Sequence, residues 1–443
     1  MTKLTQILGI LSVKDRKMFR ELITISFFGG KPKHLAMFDL VCKSKSLSKA
    51  SVEDRLIQSD LYKMIEKFIV MQKAVSDEMY CGQKLLETFR LQENQKLFEA
   101  YLNKENEHNN QNPDTGYGAL LAYEKWKFDL LKSRFTNVEI DTIVNLNDRS
   151  LILQKLKQSV NLASQSTLIT KDQNFGLLSY MLKYIEEQQW DKYEDIGLYY
   201  YCWMMMNFTK DEYWFEKFDA LFRKVSHSIP EEEKSTLYFQ GINFCIRRYN
   251  NGEKEYGHIL MNYYIEGLDK GYLLLNGWLS RNTYRNICTI AIRLQRLDDG
   301  KKVTTEYKDL LRHDDRESAY HFNLASIAFA EKNYDDALVS MQKVNFDDHL
   351  SNLFAKTLLL KIYYESGQIT LLDSHLDAMQ VYLLRKKIVG YHKTNYDKMI
   401  KYTKKILKQN PYDKESKDKL ISDISQESSV SDKEWLLKQA SAI

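Results

Sequence analysis

The chain has 443 residues, 44% of them apolar and 28% charged, with a net charge of +4 and only 4 prolines and 17 glycines. That apolar content suffices for a large core, while so few turn-formers exclude a fold of many short strands. No apolar run approaches the roughly 18 residues needed to cross a membrane and no secretory leader is visible, so a cytoplasmic protein without a membrane-bound part is expected.

Residues 1–102 predict a helical N-terminal domain. Leu4, Ile7, Leu8 and Leu11 recur at helical spacing. Ser12 is placed to cap a helix carrying Met18, Phe19, Leu22 and Ile23, and Gly29-Gly30-Lys31-Pro32 ends it. Ser51 is placed to cap the next, with Leu56, Leu61, Met64, Ile65, Phe68 and Ile69 on one side. Another helix carries Leu85, Leu86, Phe89, Leu97 and Phe98. The polar stretch 103–116 reads as a loop between domains. Residues 117–408 read as continuous helices, with Ile196–Met206 as a buried one. Residues 409–443 read as a flexible tail. Within it, Ser431-Asp432-Lys433-Glu434 has the form of a capping box that starts a short helix bearing Trp435, Leu436 and Leu437. That helix is expected to dock on its own chain or on a partner.

A repeat runs through residues 195–380. Asn243-Phe244-Cys245, Asn286-Ile287-Cys288 and Asn323-Leu324-Ala325 each place an asparagine two positions before a small residue in an amphipathic helix. Tyr201-Cys202 fits the same frame without the asparagine. The small residues are 43, 43 and 37 positions apart, one helical hairpin per period, which is the signature of an α-solenoid. A small residue lets two antiparallel helices approach closely, and cysteine serves as well as alanine. Gly252, after Asn250-Asn251, suits the turn between the two helices of a hairpin.

Within Ala319–Val344, the residues Leu324, Ala325, Ala328, Tyr334, Ala337, Met341 and Val344 follow the order of the tetratricopeptide motif, which this segment resembles. Lys332 stands in place of the usual turn glycine and His349 in place of a closing proline. A second copy in Leu358–Met379 keeps Tyr363, Gly367 and Leu372. With the N-terminal pattern from Leu11-Ser12 through the Asp60–Val70 helix, the stretches Leu237–Gly252, Ala319–Tyr364 and Lys433–Leu437 resemble an uncharacterised family of tetratricopeptide-like helical-repeat proteins common in Bacteroidota. The resemblance implies an all-α fold: an α-α solenoid of about five to seven tetratricopeptide-like hairpins behind a helical N-terminal domain. The family has no established activity to carry over.

Catalytic signatures are lacking: no phosphate-binding GxxxxGK, no GxGxxG after a strand, no HExxH and no GxSxG. The nine histidines are scattered, with His313 and His321 near acids as a surface cluster. Five cysteines without CxxC spacing read as reduced, buried thiols. Glu231-Glu232-Glu233 after Pro230 reads as a dipole-favoured helix start. Neither a cofactor nor a metal is expected. The repeated asparagines carry the functional expectation. In tetratricopeptide repeats the position two before the small residue commonly faces the concave groove, which places Asn243, Asn286 and Asn323 there. Tyr249, Arg285, Arg293, Phe322 and Ser326 share that face, and amide, aromatic and arginine side chains suit peptide recognition. The competing reading is structural: asparagines bonded to a neighbouring helix and aromatics, including Tyr199, Trp203 and Met206, in the core.

Charge is uneven. Residues 1–50 carry ten Lys or Arg against three acids, and residues 383–408 carry nine against one, so the remainder is acidic. Basic residues interleaved with Tyr391, Tyr396 and Tyr402 would suit single-stranded nucleic acid, or form the solvated side of a capping helix. The expected function is therefore a non-catalytic scaffold that binds a protein or peptide in a concave groove. The alternative is a nucleic-acid-linked regulator that uses its basic ends.

Overall fold

The computed structural model describes residues 2–25, 27–43, 51–111, 115–131, 140–165, 174–385, 390–410 and 412–443. Its described residues form 22 α-helices and one two-stranded ribbon, so the fold is all-α. The chain divides into two compact units, Met1–Gln158 and Ser159–Ile443.

In the first unit, α1 (Lys3–Ile10), α2 (Val13–Leu22), α3 (Pro32–Lys43) and α4 (Val52–Ser76) share one core. Ser12 and Ser51 cap α2 and α4. Each hydroxyl accepts from the backbone N–H of Asp15 or Asp54, whose carboxylate accepts in return. Phe19 lies at the centre, its ring 6.0, 5.4 and 5.2 Å from those of Phe28, Phe38 and Phe68. On α4 the buried stripe is Ile57, Leu61, Met64, Ile65 and Phe68; Leu56, expected among them, is exposed.

A second core joins α5 (Glu78–Leu91), α6 (Gln95–Gln111) and α7 (Thr115–Leu131) through Leu86, Phe98, Leu102, Tyr117, Leu121 and Phe128. Leu85 to Phe98, read as one helix, is two, because Glu93 turns left-handed at φ 53°. The loop expected over 103–116 is corrected. The α6 helix continues to Gln111, and residues 112–114 lie outside the described residues. Its polar composition hides a packed face: Leu102 is buried, and the buried Glu105 accepts from the Tyr117 hydroxyl at 2.7 Å. The domain boundary moves accordingly. It falls at 158/159, inside α8 (Ile140–Gln165), and residues 117–158 belong to the first unit because α7 packs on α5 and α6.

In the second unit, α9 (Leu178–Gln188) precedes five consecutive hairpins. They are α10 (Glu194–Asn207) with α11 (Glu212–Val225), α12 (Glu231–Asn250) with α13 (Glu255–Asp269), α14 (Arg281–Arg293) with α15 (Leu297–Glu306), α16 (His313–Ala330) with α17 (Tyr334–Met341), and α18 (His349–Glu365) with α19 (Ile369–Arg385). First helices also pack on first helices, α10 on α12, α14 on α16 and α16 on α18, while α13, α15 and α17 each pack on the helix that follows. Cys202, Cys245, Cys288 and Ala325 take corresponding, fully buried places on α10, α12, α14 and α16. Burial pushes the Cys245 and Cys288 thiols up to about 12. The expectation that all five thiols are buried fails for Cys42, exposed on α3, and for Cys81, half-buried.

Four hairpins turn in the same way. Gly252, Gln295, Lys332 and Gly367 have φ of 102°, 57°, 62° and 72°. The following N–H groups, of Glu253, Arg296, Asn333 and Gln368, donate to the carbonyls of Arg248, Ala291, Ala328 and Tyr363 at 3.2, 2.8, 2.8 and 2.9 Å. This is the Schellman helix end. The longer period between Cys245 and Cys288 holds an extra ribbon, β1 (Leu274–Leu275) with β2 (Trp278–Leu279), turned by Asn276 and Gly277.

The C-terminal residues are not a free tail. After α20 (Gly390–Lys408), α21 (Lys414–Gln426) and α22 (Lys433–Ala442) pack together, and α22 packs on α20. Leu420, Ile424, Trp435, Leu436 and Ala440 join Leu360, Leu376 and Met399 in one core, so the terminal helix docks in cis. The capping box expected at Ser431 is absent. Asp432, left-handed at φ 51°, precedes α22 without a side-chain cap and turns its carboxylate to Lys361. Among the described residues, no helix is long and apolar enough to cross a membrane.

Candidate functional site

The α12, α14, α16 and α18 helices, each the first of its hairpin, present one stripe apiece to a shared groove of about 600 Å³. The stripes are Ile246, Tyr249 and Asn250 on α12, Arg285, Thr289 and Arg293 on α14, Phe322, Ser326 and Phe329 on α16, and Phe354, Thr357 and Lys361 on α18. Within each helix they recur at intervals of three to four residues, so they share a face. Ser431 and Asp432 border the groove beside α18.

Six of the eight residues predicted to bind a partner line this groove: Tyr249, Arg285, Asn286, Arg293, Phe322 and Ser326. Two do not. Asn243 is exposed on α12 outside the lining. Asn323 is 1% exposed and donates from Nδ2 to the Tyr284 carbonyl at 3.3 Å. Here the structural reading wins, because α14 and α16 approach so closely at Cys288 and Ala325 that the asparagine is trapped between them. The Tyr199–Met206 stripe also belongs largely to the core, with Tyr199, Tyr200, Cys202, Trp203, Met204 and Met205 buried.

The electrostatics of α14 are uneven. Arg281, at its start, bonds Asp315 at 2.5 Å and Asp348 at 2.7 Å. Arg296, just past its end, bonds Asp299 at 2.5 Å. Between them, Arg285 and Arg293 have no carboxylate within ion-pair distance among the described residues. Arg285 sits over Phe354, 3.9 Å from the ring centroid, and its guanidinium also donates to Asn286 Oδ1 at 3.4 Å. Burial, with neighbouring Arg281, holds its guanidinium below its ordinary pKa. The nearby carboxylate, Asp348, is engaged by Arg281 and the Ser351 N–H. An anion entering the groove would therefore meet a half-buried cation with no carboxylate at ion-pair distance among the described residues.

Phe354, Thr357 and Lys361 escaped sequence reasoning although the period pointed to them. Thr357 and Lys361 lie 35 positions after Phe322 and Ser326, the spacing of the two motif copies. Thr357 is 5% exposed, and its hydroxyl has no hydrogen-bond partner among the described residues.

The basic segment on α20 is differently arranged. Tyr396 and Tyr402 are buried, which removes them as stacking platforms. Lys398 pairs with Glu427, Lys404 with Asp377 at 2.7 Å, and Lys405 with Asp423 at 3.7 Å. The side chain of Tyr391, like Lys386 and Lys387, lies outside the described residues. At the N-terminal end Arg20 pairs with Asp39 and Lys33 with Glu53, while Lys3, Lys14, Lys17 and Lys31 are exposed. Comparison with known proteins brings no relative into view: no family model, no curated protein and no solved structure matches this chain.

Proposed function

We propose that the chain is a non-catalytic binding scaffold, tetratricopeptide-like in its hairpins, that holds a peptide segment of a partner protein in the groove across α12, α14, α16 and α18. One observation carries this reading: Arg285 and Arg293 line the groove without a carboxylate partner among the described residues, while Arg281 and Arg296 on either side of them are paired. Aromatic rings and arginine are side chains enriched in interface cores. The nucleic-acid reading has less support, since Tyr396 and Tyr402 are buried and several α20 lysines are paired.

The test is affinity capture with the full-length chain and its variants. A partner recovered with the native chain should be lost on Arg285→Glu with Arg293→Glu, and kept on Asn243→Ala, which alters an exposed residue outside the groove. Circular dichroism should show all three chains folded. Retention of the partner by the charge-reversed chain would remove the groove as its site.

A further inference from the structure

The two arginines without a carboxylate partner among the described residues stand at a set interval on one helix. Arg285 and Arg293 are two helical turns apart on α14, about 12 Å along the axis, with Thr289 on the same stripe between them. An extended chain advances about 3.4 Å per residue and shows the same face at every second position, so side chains four residues apart stand about 13–14 Å from each other. We propose that the groove's occupant is an extended peptide segment with two acidic side chains four residues apart and an apolar side chain midway between them. The inference rests on the groove being the binding surface proposed above.

Three features favour this chemistry. The arginines have no carboxylate partner among the described residues, so charge complementarity calls for two anions rather than one. Phe322, Phe329 and Phe354 line the same groove, Phe354 in contact with Arg285, and suit an apolar residue held between the two acids. Thr357, buried in the lining, has a hydroxyl without a hydrogen-bond partner among the described residues, which a peptide N–H or C=O would satisfy. An extended peptide has free N–H and C=O groups to offer, whereas a helix has spent its own internally. A nucleic-acid strand fits less well: it brings a phosphate at every nucleotide, whereas Lys361 in the lining is already paired with Asp432.

Fluorescence anisotropy with labelled synthetic peptides and the full-length protein tests the proposal. The peptides share a Ser/Thr background with one central Leu and carry two Glu residues two, four or six positions apart. A Gln-for-Glu peptide and an oligothymidylate serve as controls. The four-residue spacing should bind about tenfold tighter than the other spacings or the Gln peptide. That advantage should vanish in Arg285→Gln and in Arg293→Gln, and should shrink as salt rises from ~50 to ~300 mM. Equal binding at all spacings, tighter binding of the oligothymidylate, or no binding by any Glu peptide would overturn the inference. The groove reading itself would survive a neutral peptide that binds and is lost on Phe322→Ala. It would fail separately if the charge-reversed chain kept its captured partner.

Discussion

Lys332 occupies a backbone conformation that suits glycine. At φ 62° its β-carbon crowds the backbone, as does that of Gln295 at 57°, while Gly252 and Gly367 hold the corresponding places at no such cost. The left-handed turn is needed because the Asn333 N–H must reach back to the Ala328 carbonyl, at 2.8 Å, to close the end of α16. Lys332→Gly should therefore stabilise the protein by about 0.5–1 kcal/mol, the strain relieved less the added freedom of the unfolded chain. Urea unfolding checks this, and an unchanged or lower midpoint would count against it. The lysine also shows what sequence can hide. Ala325, Ala337 and Met341 mark the hairpin plainly, yet the turn's chief signal is missing and the backbone turns all the same. Asn323 teaches the converse. Its spacing matches that of Asn286, but one side chain lines the groove and the other is shut between helices, a difference set by how closely α14 and α16 approach.

The hairpin of α18 with α19 carries a half-buried titratable group at its own interface. The His375 ring lies 5.6 Å from that of Tyr363, and its Nε2 donates to the Lys356 carbonyl at 2.8 Å. Burial holds its pKa below the ordinary value; the bond to the carbonyl opposes this, and the Lys356 charge adds to it. The unfolded chain therefore binds the proton more readily than the folded one. The stability contributed by neutral His375 is present above about pH 6.5 and is lost as pH falls through the lower folded value. His321, depressed by burial and by Lys343, acts with the same sign. Unfolding free energy should decline as pH drops below about 6.5, and His375→Gln, which retains a donor, should flatten part of that decline. An identical pH profile for the variant would refute the assignment. At this scale the hairpins were legible because small and apolar residues recur with the period of a helix pair. The α6 helix was not, since its end is polar and packs through Leu102 and a hydroxyl–carboxylate bond at Glu105. The short helix with Trp435 and Leu436 was legible, but α21 and the docking place were not, because those side chains reveal nothing of their destination until α18, α19 and α20 are in place.

Over the whole molecule, two units own separate cores, and the last helix belongs structurally to the second. Trp435 packs edge-on to Tyr364 at 5.3 Å and donates from its indole N–H to Glu365 at 2.7 Å, while Leu436 is fully buried. Removing residues 432–443 gives up the burial of these two side chains, about 3–6 kcal/mol. In calorimetry one unfolding transition should move down by about 10 °C while any transition of the first unit stays in place. A truncated chain that melts like the native one would show the dock to be energetically idle. The all-α class was readable from composition, but the division at 158/159 was not, because it falls within a continuous helix. The docked segment also furnishes part of the groove. The lining runs from α12 to α18, and Ser431 and Asp432 belong to it beside α18. Cutting away residues 432–443 would therefore remake this cavity as well as lower the melting point, because Asp432 leaves with them and Lys361 loses the carboxylate it pairs with.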